Sequence, residues 1–483
     1  MKRCLISLVA MTATLIMVPV ANAVTINVNT TADEYGGSPA LCSLREAITA
    51  AQSDSSFDGC VAGSGADQVN LPAGEYKITR AGSEEDMNVT GDFDVVGTGA
   101  LTIQPANDTA KVMVDGNSLD RVYDEQGNNQ LAIRYQQVKG GVLTGVGEDG
   151  GGIRNSVGTL TLEGVTVSGN RTDFQGGAVA VYSAVAAVNS TFSGNSANGN
   201  GGAFWIPGGA TASIKSSTIT KNTADANDDD AGYGGGFADG GAGNISFTNV
   251  LNAGNTDLSV AAARDCYSGP FYFPRYTMQI QPFSAGNCLT GFNPPTNKVV
   301  TDPKIAPDLA DNGGQTPTHA LLEGSPAIGA GAPGDIPIDA CPATDQNGRA
   351  RPAGACDIGA VQYFKAPDPP ADTFGVRFTS IKPKPLKLKR GRQARAVSVK
   401  VTSTGTAAAT GVKVCVQPGK KAKKAIKKVG KFCKTVGTLS AGKTVKFKFK
   451  ARKKAKKKLF KLKVVMTSTN AAQKTGTIKI RVK

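Results

Sequence analysis

Residues 151–222 read GGIRNSVGTLTLEGVTVSGNRTDFQGGAVAVYSAVAAVNSTFSGNSANGNGGAFWIPGGATASIKSSTITKN, and their self-similarity decides the fold. Gly-Gly-Ile (151–153), Gly-Gly-Ala (176–178) and Gly-Gly-Ala (201–203) recur at 25-residue intervals, and Gly-Gly-Phe (235–237) follows after 34. Each pair is followed 19 to 21 residues later by an asparagine: Asn170, Asn195, Asn222 and Asn255. A short β-prone piece precedes the first three, namely Val165-Thr166-Val167, Ser190-Thr191-Phe192 and Ser217-Thr218-Ile219. A unit this small cannot bury its own apolar face, but stacked copies share a continuous core. Paired glycines suit bends that need positive φ. Asparagine tolerates the same region, and stacked asparagines can bond along a ladder. The sequence therefore predicts an all-β chain built on a stacked coil with two or three short strands per turn. The longer third interval holds Asn227-Asp228-Asp229-Asp230, expected to loop outward from the stack.

Working outward, weaker strand-like pieces lie at 69–71, 101–103, 112–114 and 131–133. The expected coiled body is 65–365, with about ten to twelve turns at roughly 25 residues each. An open first rung needs a cap. Ser43 and Glu46 form an S-x-x-E capping box, and Leu44, Ala47, Ile48 and Ala51 fall on one face of a short helix. Residues 24–64 thus read as an N-terminal strand and capping region.

Cys42-Ser43-Leu44-Arg45-Glu46-Ala47-Ile48, with the strand-like text 26–33 before it, resembles the CSLREA-type module of exported bacterial β-helix proteins. The coils resemble the pectin-lyase-like right-handed parallel β-helix, and the resemblance implies that fold for the all-β body. Segments 312–330 and 345–363 resemble the region that closes many such proteins before an anchoring domain. The resemblance covers about 24–363 and implies fold and export better than function.

Export is also legible in the first residues. Lys2 and Arg3 precede an apolar run to Val20, and Ala21-Asn22-Ala23 offers a cleavage pattern, so residues 1–23 read as a signal peptide. No other stretch is long and apolar enough to span a bilayer. The expected location is secreted and cell-surface associated. Eight cysteines then remain, an even number in an exported chain and without a C-x-x-C spacing, which favours disulfides over zinc. Of the possible connectivities, pairing of neighbours (Cys42–Cys60, Cys266–Cys288, Cys341–Cys356, Cys415–Cys433) closes a short loop within each module.

Prolines mark a linker at 366–374, after which the pattern changes to period two. Val397, Val399 and Val401 alternate with polar residues, as do Val412, Val414 and Val416, and Val445, Phe447 and Phe449. Residues 375–483 read as a small antiparallel β-sandwich, similar to bacterial surface immunoglobulin-like modules. Cys415 and Cys433 are out of phase with the apolar positions, so a bridge between them belongs on the outer face.

Charge is divided along the chain. Residues 371–483 carry 34 Lys+Arg and one acid, Asp372, a net +33; residues 1–370 carry 20 against 37, a net −17; together these give the +16 of the whole. Lys446, Lys448 and Lys450 share one strand face, and Lys479, Arg481 and Lys483 another. The lysine runs 420–428 and 450–458 read as hairpin or loop tips. This pattern fits an anionic cell-wall polymer or acidic polysaccharide as partner. Sparse aromatic interleaving speaks against sequence-specific nucleic-acid recognition.

Catalytic signatures are thin. The single histidine, His319, has no evident partner and reads as structural. No G-x-S-x-G, H-E-x-x-H or P-loop occurs, and the G-x-G-x-x-G of 145–150 is followed by β-coil text, so it reads as a turn. No cofactor is called for. Calcium is conceivable at Asp228-Asp229-Asp230, though adjacent aspartates lack the spacing of a calcium loop. Arg154 and Arg171 are candidate groove bases that the sequence does not place beside carboxylates. Trp205, the only tryptophan, reads chiefly as packing and secondarily as a sugar platform. The reading favours a non-catalytic binding or adhesion protein; the alternative is a polysaccharide lyase or glycoside hydrolase acting on acidic polysaccharide.

Overall fold

The computed structural model describes residues 23–82, 85–127, 130–145, 147–241, 243–259, 265–268, 272–280, 296–333, 340–352, 354, 356–365 and 375–483. The signal segment up to residue 22, the linker and Cys288 lie outside the described residues. The chain divides into two compact units, Met1–Lys365 and Ala366–Lys483.

The first unit is a parallel β-helix whose coils pass four walls. The long wall stacks nine strands, from Thr25–Asn27 and Asp67–Leu71 to Asn244–Thr248 and Tyr272–Arg275. A second nine-stranded wall runs from Gly74–Lys77 to Lys298–Val300, and a narrow five-stranded wall from Val142–Leu143 to Thr256–Asp257. The fourth, or open, wall stacks Phe93–Val95, Tyr123–Glu125, Ile153–Asn155, Val179–Val181, Phe204–Ile206, Phe237–Asp239 and Cys266–Tyr267. Seven passes of this wall make six complete turns. All wall pairings are parallel and unshifted, so equivalent side chains pile up in columns: Leu131, Leu160, Val185, Ala212 and Ile245 form one interior column of the long wall. These residues are at most 2 % exposed and merge into one core. Burying each of the leucine, valine and isoleucine side chains is worth about 1.5–3 kcal/mol, the chief gain from stacking.

Corners repeat as faithfully as walls. Between the narrow and open walls the chain turns at Gly150, Gly176, Gly201 and Gly234, all near φ +72°. A Cβ at Gly201 would lie 2.1 Å from the Phe204 carbonyl oxygen, so no side chain fits there. On the open wall the repeat is therefore 26, 25 and 33 residues by register, one residue off the glycine-pair alignment at both ends. After the second wall stand the four asparagines. Asn170 Nδ2 donates to Asn195 Oδ1, Asn195 to Asn222 and Asn222 to Asn255, each at 2.9 Å, and the last donates to Asp265 at 3.0 Å. The Oδ1 atoms of Asn195, Asn222 and Asn255 also accept the backbone N–H of the asparagine one coil back, as Asn195 does from Asn170 at 3.1 Å, and Asn170 Oδ1 accepts the Gly141 N–H. The ladder satisfies backbone groups that the corner takes out of strand pairing.

The cap forms at the N-terminal end. A helix spans Leu44–Ser53, Ser43 accepts the Glu46 N–H, and the Glu46 carboxylate accepts the Ser43 N–H. Arg45 is completely buried beneath it. It pairs with Asp33 at 2.7 Å, donates to the carbonyls of Gly91 and Asp92, and lies over the Phe93 ring. It thus ties helix, leader strand and first coil together.

The C-terminal end corrects two expectations. Coils stop at Lys298–Val300, not near 360, and so are fewer than ten to twelve. The described residues of 301–333, 340–352, 354 and 356–365 form an irregular strap along the second wall. Gln315 donates to Asn107 and Ala110 carbonyls, Thr166 to the Pro317 carbonyl, Thr191 to Gln346 Oε1, and the Ala360 N–H to Thr218 Oγ1. The strap covers the threonine and serine rows of Thr166–Ser168, Thr191–Ser193 and Thr218–Thr220, which explains why these polar outward positions are buried.

The second unit has two sheets. Val376–Lys382, Arg395–Ser403, Lys443–Ala451 and Ile426–Val429 form one; Leu386–Leu388, Lys474–Val482, Leu459–Thr467, Ala409–Gln417 and Cys433–Leu439 form the other. Pairing is antiparallel except between Leu386–Leu388 and Lys474–Val482. Alternate residues of both sheets, such as Val399, Phe447, Val464 and Ile480, meet in one core. The lysine run 420–428 is not a loop tip: Lys420–Ala425 makes a helical turn that buries Ala422 and Ala425, and the chain then enters the edge strand Ile426–Val429. The alanines between the lysines are what allow it.

Candidate functional site

Two surfaces carry concentrated chemistry, one in each unit. In the second unit, Lys446, Lys448 and Lys450 are exposed on one strand, each following a buried residue. Lys427 stands opposite Lys450 in register. On the other sheet Lys479, Arg481 and Lys483 are exposed, and Lys461 faces Lys479. Like charges directly across a strand pair repel, so these rows weaken the sheet by themselves. No acidic residue occurs in 375–483 to offset them. The core of the sandwich bears that cost, and the outer faces are left as dense arrays of ammonium groups.

In the first unit, the open wall carries the second surface. Its outward positions run in register from Asp94 through Asp124 to Arg154, then through Ala180, Trp205 and Ala238 to Tyr267. At the first coils lies a cleft of about 670 Å³, lined among others by Asp86, Asp92, Asp120, Arg121, Asp124 and Arg154. Arg121 is its centre, buried, with Asp92 at 3.1 Å, Asp124 at 2.9 Å and Glu148 at 2.7 Å. Arg154 pairs with Asp124 at 2.5 Å. Arg154, which the sequence could not set beside a carboxylate, is thus in the cleft; Arg171 is exposed and pairs with Asp173 instead. Burial pushes the Asp92 carboxyl well up despite Arg121, and pushes Asp94 up to about 7, aided by Asp124 and opposed by the Asn88 N–H.

Asp86, Asp94 and Asp124 bring carboxylate oxygens within 4.8 Å of one another, the spacing a cation would use. The Gln126 side-chain nitrogen stands among them, 2.7, 3.3 and 3.0 Å from Asp86, Asp94 and Asp124. A hydrogen-bond donor therefore already serves this group. The calcium expectation at Asp228-Asp229-Asp230 fares differently: these residues are exposed, and the Asp229 and Asp230 N–H groups close the loop on the Asp225 carboxylate.

Trp205, expected to pack in the core or on a rung, stands on the outer side of the open wall, in register between Ala180 and Ala238 and not in the core. Tyr182 (44 % exposed) and Tyr267 (40 % exposed) flank it, and the Tyr233 ring stacks on Tyr267 with centroids 4.9 Å apart. The Tyr182 hydroxyl donates to Asp149 and faces the Trp205 indole N–H.

His319 is buried in the strap. Its Nδ1 must donate to the Ala306 carbonyl (2.8 Å), which fixes Nε2 as acceptor of the Ser193 hydroxyl (2.8 Å). Burial lowers its pKa and keeps it neutral. The adjoining Gly169 and Gly194 N–H groups are spent on the Ser193 and Thr220 carbonyls, so no donor pair stands ready for an oxyanion. The pair pins the strap.

Cys42–Cys60, Cys341–Cys356 and Cys415–Cys433 are bridged. The last lies on the outward side, with both cysteines directly opposite in register. Cys266 is described, whereas its expected partner Cys288 is not. Ser43 and Glu46 are the capping pair described above. Sequence reasoning missed Asp33, Arg45 and the Arg121 cluster; the charge density of Asp120-Arg121-Val122-Tyr123-Asp124-Glu125 within a Gly- and Asn-rich body was the available signal.

No protein-family model matches the chain, and no curated protein is similar to it. What the chain itself defines is a parallel β-helix joined to a lysine-rich antiparallel β-domain.

Proposed function

We propose that the protein is a secreted, surface-associated binding protein: the β-helix offers its side walls for contact, and the lysine-rich domain attaches it to anionic envelope polymers. The observation that carries this is the pair of exposed lysine rows on the outer faces of a sandwich that contains no acid. A charge of this density exceeds what solubility requires and concentrates polyanions by several kT. Lysine supplies point charges without the planar fork of arginine, which suits loosely specified phosphates or carboxylates. The signal-like N-terminus, the disulfides and the CSLREA-like text support export. Among the described residues no helix is long and apolar enough to cross a membrane.

The test is retention of the mature chain on immobilised polyphosphate and on polygalacturonate. We expect retention on both, and elution of a variant with Lys446, Lys448, Lys450, Lys479, Arg481 and Lys483 changed to Gln at markedly lower salt. Passage of the parent chain straight through, or unchanged elution of the variant, would overturn the proposal.

A second reading, a polysaccharide lyase or glycoside hydrolase, has the Arg121 cleft in its favour, since carboxylates of raised pKa beside ionised partners suit acid–base work. Release of reducing or unsaturated ends by the chain, abolished by Asp92→Asn, would promote it over the first.

A further inference from the structure

The open wall has two halves on one line. Asp94, Asp124 and Arg154 occupy the first three coils, and Trp205 and Tyr267 the fifth and seventh. The halves are contiguous: Arg154 pairs with Asp124, and the Tyr182 hydroxyl joins Asp149 to the indole of Trp205. Six intervals at the strand spacing of about 4.8 Å give a track of about 30 Å. The described strap residues bond to the second wall, at Thr166, Thr191 and Thr218.

Each half restricts the ligand. Half-exposed aromatic rings spaced along a rigid wall present flat apolar faces with polar edges, a surface suited to the faces of pyranose rings and poorly suited to remain bare in water. The alanines on either side of Trp205 set the indole above its neighbours. At the other end, six carboxylates (Glu85, Asp86, Asp92, Asp120, Asp124 and Glu148) line the cleft against two guanidinium groups, Arg121 and Arg154. Even with Asp92 and Asp120 protonated, four carboxylates face two cations. A polyuronate would meet repulsion here, and an ammonium-bearing chain attraction focused by the cleft.

We propose that the open wall binds a polysaccharide of amino sugars, stacking its rings on Trp205, Tyr182 and Tyr267 and directing its ammonium groups into the Arg121 cleft. This rests on the reading of the chain as a binding protein, and it separates the ligand of the wall, cationic, from the ligand of the lysine-rich domain, anionic. One molecule would then bridge polymers of opposite charge.

The test uses the mature chain and three hexasaccharides: glucosamine, N-acetylglucosamine and galacturonate. Trp205, the sole tryptophan, reports directly through its fluorescence. We expect the glucosamine hexamer to shift the emission and to bind at least tenfold more tightly than the galacturonate hexamer, with the acetylated chain between them. Tyr267→Ala leaves net charge unchanged at neutral pH and should weaken glucosamine binding about tenfold by calorimetry, whereas Asn227→Ala, in the exposed loop away from this wall, should change it little. Asp86→Asn with Glu148→Gln should narrow the gap between glucosamine and its acetylated form. The sixfold lysine-face variant should bind the glucosamine hexamer undiminished, which separates failure here from failure of the lysine-rich domain to hold polyanions. Equal or tighter binding of galacturonate, binding of glucosamine that Tyr267→Ala leaves unchanged, or no binding of any hexamer would overturn the proposal.

Discussion

Replacing Asn195 by alanine removes the middle of the asparagine ladder. The side chain makes four hydrogen bonds: it accepts from the Asn170 N–H and Asn170 Nδ2, and donates to the Val167 carbonyl and to Asn222 Oδ1. The Asn222 oxygen keeps the Asn195 N–H, and Asn170 Nδ2 keeps the Val138 carbonyl. The Asn170 N–H is left without its acceptor in a site that is 1 % exposed. At about 1 kcal/mol for each bond, the loss is about 4 kcal/mol, with the stranded N–H as its largest part. Urea titration followed by far-ultraviolet circular dichroism and by Trp205, one coil away, measures it. Asn227→Ala in the exposed loop is the control and should stay within about 0.5 kcal/mol of the parent. Because solenoid coils stabilise mainly their neighbours, the Trp205 signal should move to lower urea further than the dichroism does. A cost below about 1 kcal/mol for Asn195→Ala would refute the view that the ladder holds the corner.

Two other perturbations test parts of the first unit. Arg45→Met strands the buried Asp33 carboxylate beneath the cap and should cost about 3–5 kcal/mol in thermal or urea unfolding, with Arg45→Lys giving little relief because one ammonium cannot replace the fork; near-parent stability of either would contradict the docking role. Glu125 faces inward beside Asn155, and burial pushes its carboxyl up to about 8. The folded state therefore keeps a proton that the unfolded chain releases near pH 4, so ionisation erodes stability as pH rises from about 4 to 8, by on the order of 3 kcal/mol at pH 7. Glu125→Gln should raise the melting temperature at pH 7–8 relative to the parent and lose that advantage near pH 4; a pH-independent difference would contradict it.

What could be read in the sequence follows from where the constraints lie. The corner glycines and Asn170, Asn195, Asn222 and Asn255 are required once per coil, so their spacing prints the period directly into the text. The sandwich is legible for the same kind of reason: Val445, Phe447 and Phe449 face one core at period two. The strap was missed because its described residues bind the second wall through scattered polar contacts, such as Gln346 to the Val165 carbonyl, that leave no periodic trace. The Arg121 cleft was missed because its members come from successive coils. Asp94, Asp124 and Arg154 stand 30 residues apart and become neighbours only once register is known. For Trp205 the sequence left core and rung packing open; in a three-residue strand, Phe204 and Ile206 supply the inward side chains, and phase alone places the residue between them on the outer side of its rung.

The central functional claim is electrostatic attachment through the lysine-rich faces. Its most direct measurement is the affinity of the mature chain for polyphosphate across a series of salt concentrations. Displacement of several bound counterions predicts a straight line of log affinity against log salt with a slope steeper than about −3. An affinity that stays flat as salt rises would contradict the account.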